Sequence, residues 1–227
     1  EHSDVIDAVH EHVGLLLQTE GESVERAAAF LARERLLAII VRDLDERGYA
    51  GRSRSLAEEI LRATAERLVL LAESRPGWYS FDVRSLQEFM AARQLTRGES
   101  AVVFERLRTV GRPLYWRNVV LFAVGRFFVG NVPQAMRYQM SVGLCERLAE
   151  DHAHEADWGS YPGARLALDL LSDGAVAKDL RCLRMLVLKT LSLLAAESEW
   201  ITEEPIGRTI ARYWEHLEED EKAEVVG

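Results

Sequence analysis

The sequence predicts a mainly α-helical fold with one small β-hairpin, followed by an all-helical bundle or short α-solenoid. Apolar residues recur at helical spacing along most of the chain, and one stretch places turn residues between apolar and aromatic runs. The chain has 227 residues, of which 48% are hydrophobic and 29% charged. This is the balance of a globular protein that is large enough to bury a core.

The first part of the chain is predicted to be helical. Residues 4–18 and 24–46 have the pattern of amphipathic helices, so each is expected to bury one face. Ser55 and Glu58 have the spacing of a capping box, which predicts that a third helix begins at about Leu56.

A β-hairpin is predicted next, with strands at about 69–74 and 78–82. Arg75-Pro76-Gly77 supplies the turn, because proline presets the first turn torsion and glycine accepts a positive φ. Ser85 and Glu88 have the spacing of a second capping box, so another helix is expected to run from there to about Leu95.

Helices followed by a single hairpin, with a helix just before it, indicate a winged-helix domain. We expect this domain to cover residues 1–96 and an all-helical regulatory or sensor domain to cover 97–227.

The second domain contains several Gly/Pro breaks, between which six helices of ordinary length fit. The segment 113–130 is apolar nearly all round, which predicts a helix buried at the centre of this domain. No repeat of fixed period is visible, so the bundle and the solenoid both stay open.

One motif resembles a known family. Residues 79–92 are similar to F-x-H-x-S-F-Q-E-F-x-A-A, which closes the winged-helix domain of NACHT-type (STAND class) signalling ATPases, and Trp116–Arg126 resembles the first helix of the helical region that follows there. The matching positions are Phe81, Ser85, Gln87, Glu88, Phe89 and the pair Ala91-Ala92.

The resemblance implies a parent protein whose P-loop ATPase core binds ATP or ADP with Mg²⁺ and oligomerises when activated. The ATPase core of the same polypeptide and an unidentified protein ligand would then be the partners. This chain has no G-x-x-x-x-G-K-[ST], so we expect no nucleotide hydrolysis and no cofactor of its own.

At one position the sequence departs from the family. The family's histidine contacts a nucleotide phosphate, whereas Val83 stands here and can neither donate a hydrogen bond nor carry charge. Arg84 is the nearest candidate substitute, although it also fits a surface role.

The motif residues also have structural interpretations. Phe89 and Met90 suit core contacts, and Ala91-Ala92 suits close helix packing. Gln87 is the residue with no local explanation.

Other reactive residues give little support for catalysis or a metal site. His10 and His12, like His152 and His154, are two positions apart and so point to different sides of a helix, which suggests solvated side chains. The two cysteines, Cys145 and Cys182, lie in apolar stretches and are expected to be buried and inert.

Trp158 and Tyr161 are candidate partner contacts, because they lie beside Gly and Pro in a predicted loop. DNA binding is not favoured, since the predicted recognition helix 55–68 carries more acidic than basic residues. With two cysteines and no membrane-length apolar run or basic leader, the chain is expected to be cytoplasmic and not membrane-bound.

The resemblance therefore implies the regulatory and protein-interaction part of a NACHT-like ATPase that acts as a conformational switch, with antiphage defence as the expected role in a bacterial source. A winged-helix DNA-binding regulator and a free-standing helical adaptor are the alternatives.

Overall fold

The computed structural model describes residues 3–23, 30–66, 71–153, 161–194 and 203–226. It is mainly helical with a small antiparallel sheet, which confirms the predicted fold class. The chain divides into two compact units, Glu1–Arg97 and Gly98–Gly227, next to the boundary that we placed between 96 and 97.

The first unit combines four helices with a three-stranded antiparallel sheet. Three helices and a short strand precede a hairpin, and a fourth helix follows it. The elements are α1 (Ser3–Ser23), β1 (Leu31–Ala32), α2 (Arg33–Glu46), α3 (Ser53–Glu66), β2 (Leu71–Arg75), β3 (Trp78–Phe81) and α4 (Arg84–Leu95). The sheet order is β1-β3-β2, with Leu31 opposite Tyr79 and Leu71 opposite Phe81.

Strand β1 was not predicted, and the helix expected over 24–46 is wrong at its start. The helix begins at Arg33, whereas residues 24–29 lie outside the described part of the chain. Leu31 is fully buried and pairs with β3, and the Arg33 amide donates to the Gly77 carbonyl oxygen at 2.9 Å. Pairing with a strand distant in sequence therefore overrides the local helical periodicity.

Neither predicted capping box forms. Helix α3 begins before Ser55, whose hydroxyl donates to the Arg52 carbonyl oxygen at 3.0 Å. Helix α4 begins at Arg84, after Val83, with no side-chain cap. Both glutamates instead pair with the arginine four residues earlier on their own helix: Arg54–Glu58 at 3.8 Å and Arg84–Glu88 at 3.0 Å.

Helix α1 lies at the centre of the first unit and buries more than the one face that we expected. Its apolar positions Val5, Val9, Val13 and Leu17 join the main core cluster of this unit. Polar side chains on other sides of the helix are buried as well: His10, Glu11 and Gln18.

The second unit is built of helices throughout its described residues, and these are more numerous and shorter than the six expected. They are α5 (Ser100–Val110), α6 (Arg117–Gly125), α7 (Gln134–Tyr138), α8 (Leu144–Ala153), α9 (Pro162–Asp173), α10 (Leu180–Thr190), α11 (Glu203–Tyr213) and α12 (Glu219–Val226). A π-helical turn, Gln139–Gly143, joins α7 to α8.

Helix α9 packs against α6, α8, α10 and α11, of which α6 and α11 are not its neighbours in sequence. Contacts of this kind, between helices two or three apart in order, occur in a bundle and also between adjacent two-helix repeats of a solenoid.

The expectation of a helix buried all round over 113–130 is wrong. Helix α6 covers only Arg117–Gly125 and buries one face, on which Val119 and Val124 are fully buried. Leu114 and Val129, in the flanking segments, are 71% and 74% exposed. The helix is short and packs mainly against α5 and α9, so its outer side stays uncovered.

No helix in the described ranges is both long and apolar enough to cross a lipid bilayer.

Candidate functional site

The motif helix α4 crosses α1 at very short range. A Cβ atom on Gly14 of α1 would lie 2.7 Å from the Met90 Cβ and 3.0 Å from the Gln87 carbonyl oxygen. Ala91 and Ala92 on α4 have no exposed surface. Small residues on both helices therefore set the distance between them.

Gln87 joins these two helices through its side chain. Its amide nitrogen Nε2 donates a hydrogen bond to Gln18 Oε1 at 3.0 Å, across 69 positions of sequence. Gln18 has no exposed surface. The residue that lacked a local explanation thus has a tertiary one, which sequence periodicity does not reveal.

Glu88 is a buried carboxylate on the next position of the motif. It is 3% exposed, and Arg84 Nε donates to its Oε1 at 3.0 Å. The Arg84 side chain is 63% exposed. A buried acidic group therefore fixes the position of a guanidinium that faces solvent.

The first two residues of α4 and the two residues before them, Asp82–Ser85, are exposed, and we call this the α4 N-terminal surface. Val83 is 50% exposed and contributes an apolar side chain to it. Phe89, by contrast, is partly buried and packs against the core of the first unit. The motif therefore has an exposed beginning and a packed remainder.

Phe81 ends strand β3 and is buried beside His10. The two rings meet edge to face, with centroids 6.3 Å apart. His10 Nδ1 lies 2.6 Å from the Ile6 carbonyl oxygen, and its Nε2 has no hydrogen-bond partner within the described residues. Burial lowers the pKa of His10, so the expectation that this histidine is solvated is wrong.

A second polar cluster between α1 and α4 was missed by sequence reasoning. Glu11 is 2% exposed, and Arg93 Nε lies 2.7 Å from its Oε1. Arg97 also pairs with Glu11, and Arg93 reaches Asp7 Oδ2 at 3.2 Å. The available signal was two acidic residues four positions apart on α1 and two arginines four positions apart at the end of α4 and just after it, which suit facing segments.

Of the two predicted partner contacts, Trp158 and Tyr161, the described residues include only Tyr161. Trp158 lies outside them. Tyr161 is partly buried against the small cluster of Ala164, Leu193 and Ile206, and its φ of 38° is unusual for a residue with a side chain. Their role in partner binding stays a prediction.

The outer face of α3, which the sequence predicts as a recognition helix, carries mixed charge. Arg54 and Arg62 are exposed beside Glu59, and Arg54 pairs with Glu58. Arg75 in the hairpin stacks over the rings of Phe30 and Trp78, at 4.7 Å from each centroid. Arg54 and Arg75 are therefore partly engaged within the first unit.

Both cysteines are free and buried, as the sequence predicts. Burial raises the pKa of Cys182 to about 11 and raises the pKa of Cys145 further above its ordinary range. In the part of the chain that the structure describes, no group of three or more His, Cys, Asp or Glu residues is arranged to hold a metal ion.

Comparisons of the chain with protein-family models, with curated proteins and with solved structures give no match.

Proposed function

We propose that this chain is the regulatory and protein-interaction part of a NACHT-like signalling ATPase, in which α4 acts as the switch element. One observation carries the proposal: the motif resemblance falls on a helix whose packed part is held to α1, while its α4 N-terminal surface is exposed and carries Arg84 fixed by buried Glu88.

This arrangement suits an interface with the ATPase core that forms and separates as one rigid surface. Gln87 and the small residues opposite Gly14 hold α4 in one position, so the α4 N-terminal surface has a defined geometry. A guanidinium held in that way is preorganised to bind a phosphate or a carboxylate of an ATPase core. Arg84 would thereby supply the charge that Val83 lacks.

The switch would work by differential affinity. The winged helix would favour the closed, nucleotide-retaining state of the ATPase core, and a partner that docks on the helical unit would favour the open state. The partner shifts the equilibrium only by as much as its affinity for the two states differs. In a bacterial cell, signalling in antiphage defence is the role that this proposal implies.

The test measures nucleotide retention by the full-length polypeptide that carries this chain. We expect Arg84→Gln and Glu88→Gln to release bound ADP about tenfold faster, because each removes one member of the pair at the proposed contact. Arg54→Gln is the matched control, since it breaks an exposed pair of the same i, i+4 type on α3 and should leave release unchanged.

Arg84→Gln is the decisive variant, because its exposed side chain allows the fold to stay intact. Unchanged ADP release and unchanged signalling with this variant would remove the switching role from α4.

The winged-helix element order favours DNA binding as a second candidate function. This candidate requires duplex affinity that falls steeply as salt rises, because phosphate contacts release counterions. The mixed charge on α3 and the stacking of Arg75 weigh against it. A free-standing adaptor would instead bind its partner with the same affinity when nucleotide is absent.

A further inference from the structure

Residues 214–226 follow α11 and form a segment that we call the strap. It consists of a 3-10 turn, Trp214–His216, and helix α12, Glu219–Val226. The residue before it, Tyr213, is 5% exposed, and its hydroxyl donates to the Leu171 carbonyl oxygen at 2.9 Å. The strap therefore starts from an anchored point of the helical unit.

The strap has little apolar attachment in its described side chains. Of residues 214–223, Leu217 alone is buried, at 4% exposed. The acidic residues Glu218, Glu219 and Asp220 are exposed. One buried leucine is a small anchor for such a segment, so polar contacts must contribute to its docking.

Arg184 on α10 supplies those polar contacts. Its Nε donates to the His216 carbonyl oxygen at 2.7 Å, and its Nη1 pairs with Glu218 Oε1. The same Nε lies 3.7 Å from Glu221 Oε2. Helix α12 packs against α10 here, so one guanidinium contacts both the 3-10 turn and the start of α12.

The carboxylates near Arg184 also start the helix. Glu221 Oε2 accepts a hydrogen bond from the Glu218 amide at 2.8 Å, which is half of a capping box. The hydrogen bond that begins α12 therefore also places a carboxylate next to Arg184. Formation of the helix and docking on α10 support each other.

The contact is open to solvent. The side chains of Arg184 and Glu218 are 27% and 59% exposed. Ion pairs at such positions are weak and are screened by salt. The docking of the strap should therefore weaken as ionic strength rises.

Helix α12 is too short to persist alone. It has eight residues, whereas isolated helices shorter than about 12–15 residues are marginal in water. Detachment from α10 should therefore also unfold α12, which exposes its backbone amides to exchange with solvent.

We infer that the strap is a reversible regulatory element of the helical unit, held on α10 by Arg184 and released as one piece when that contact is lost. A partner that pairs with Arg184, or with the strap carboxylates, would favour the released state by its differential affinity. The inference does not rest on the proposed function.

The experiment is hydrogen–deuterium exchange of the full chain, followed by mass spectrometry. We expect Arg184→Gln to speed exchange of the amides of residues 222–226 about tenfold, because it removes a charge-assisted contact. The amides of α9 should stay unchanged. Arg208→Gln on α11 is the matched control, because it breaks an exposed pair with Glu204 and should leave the strap unchanged.

Salt and a second variant test the ionic character of the contact. In the wild-type chain, exchange at residues 222–226 should rise several-fold between about 0.05 M and about 0.5 M NaCl, and in Arg184→Gln it should change little. Glu218→Gln should also speed exchange, and the double variant should exchange no faster than Arg184→Gln, because both changes remove the same contact.

Equal exchange of the strap in the wild-type chain and Arg184→Gln would overturn the inference, and so would wild-type exchange that does not respond to salt. Equal acceleration of α9 and the strap in both Arg184→Gln and Glu218→Gln would show that the contact supports the whole helical unit and not a separate strap. Because the assay contains no nucleotide, a failure of the switch proposal would not affect its result.

Discussion

Gln87 Nε2 donates a hydrogen bond to Gln18 Oε1 at 3.0 Å and so ties the motif helix to the first helix of the chain. Gln18 is fully buried, and Gly14 lies one helical turn earlier against the same part of α4. The motif residues therefore hold α4 against α1 and do not serve as a local helix-start signal.

Breaking this hydrogen bond should destabilise the first unit. We expect Gln87→Ala to lower the free energy of unfolding by about 1–3 kcal/mol, because it leaves a buried amide oxygen without this donor. Gln94→Ala on the same helix, where the side chain is half-buried, should cost less than about 0.5 kcal/mol. Chemical denaturation monitored by circular dichroism measures both, and equal losses would contradict the role given to Gln87.

Gly14 should not tolerate a methyl group. In an open helical position Gly→Ala stabilises by about 0.5–1 kcal/mol, but at Gly14 the new Cβ would meet Met90 and the α4 backbone. We expect Gly14→Ala to destabilise by about 1–3 kcal/mol.

Gly207→Ala on α11 is the control for that substitution, since nothing lies within 4 Å of the position of its Cβ. Thermal unfolding should give shifts of opposite sign for the two variants. A stabilising Gly14→Ala would show that α1 and α4 are not in such close contact.

The sequence predicts helices and the hairpin where the residues that form them are close together in sequence. It does not predict an element that forms by contact with residues distant in sequence. Turn residues at Arg75-Pro76-Gly77 are enough to place the hairpin, because the turn chemistry lies within a few positions. Strand β1 at Leu31–Ala32 escapes prediction because its hydrogen-bonding partner is Tyr79 and its neighbours. Ser55 and Glu58 mislead because the glutamate is used by Arg54 instead.

His10 should make stability depend on pH. Burial lowers the pKa of His10 in the folded chain below its ordinary value of 6.5, so below about pH 6.5 the unfolded chain binds more protons. The free energy of unfolding is then highest above pH 6.5 and falls on acidification. His10→Gln should lose less stability than the wild type between about pH 7.5 and pH 5.5.

His12 is the internal comparison for that measurement. Its pKa is also lowered, by burial and by the nearby charge of Arg42, but its side chain is only partly buried. His12→Gln should therefore reduce the pH dependence less than His10→Gln does. A wild-type chain that gains stability on acidification relative to His10→Gln would contradict the buried, neutral state of His10.

The thiols should be unreactive in the folded chain. The raised pKa values of Cys145 and Cys182 leave almost no thiolate near neutral pH, and burial blocks access. Iodoacetamide at pH 7.5 should label neither residue until denaturant unfolds the chain, as measured by intact mass. Rapid labelling of Cys182 under native conditions would show that the α10 region opens locally.

The candidate site was predictable in part. The motif pattern selects Phe81, Gln87 and Glu88 because their residue types and spacing are read directly from the chain. What Gln87 contacts, and that Glu88 is buried while Arg84 is exposed, depends on how α1 crosses α4.

The most direct test of the account is to read the sequence encoded upstream of the codon for Glu1 in the same frame. The account predicts a strand, a G-x-x-x-x-G-K-[ST] loop and a helix within a few hundred codons, because the switch proposal requires an ATPase core in the same polypeptide. A start codon immediately before Glu1 would contradict it and leave a free-standing helical binding protein.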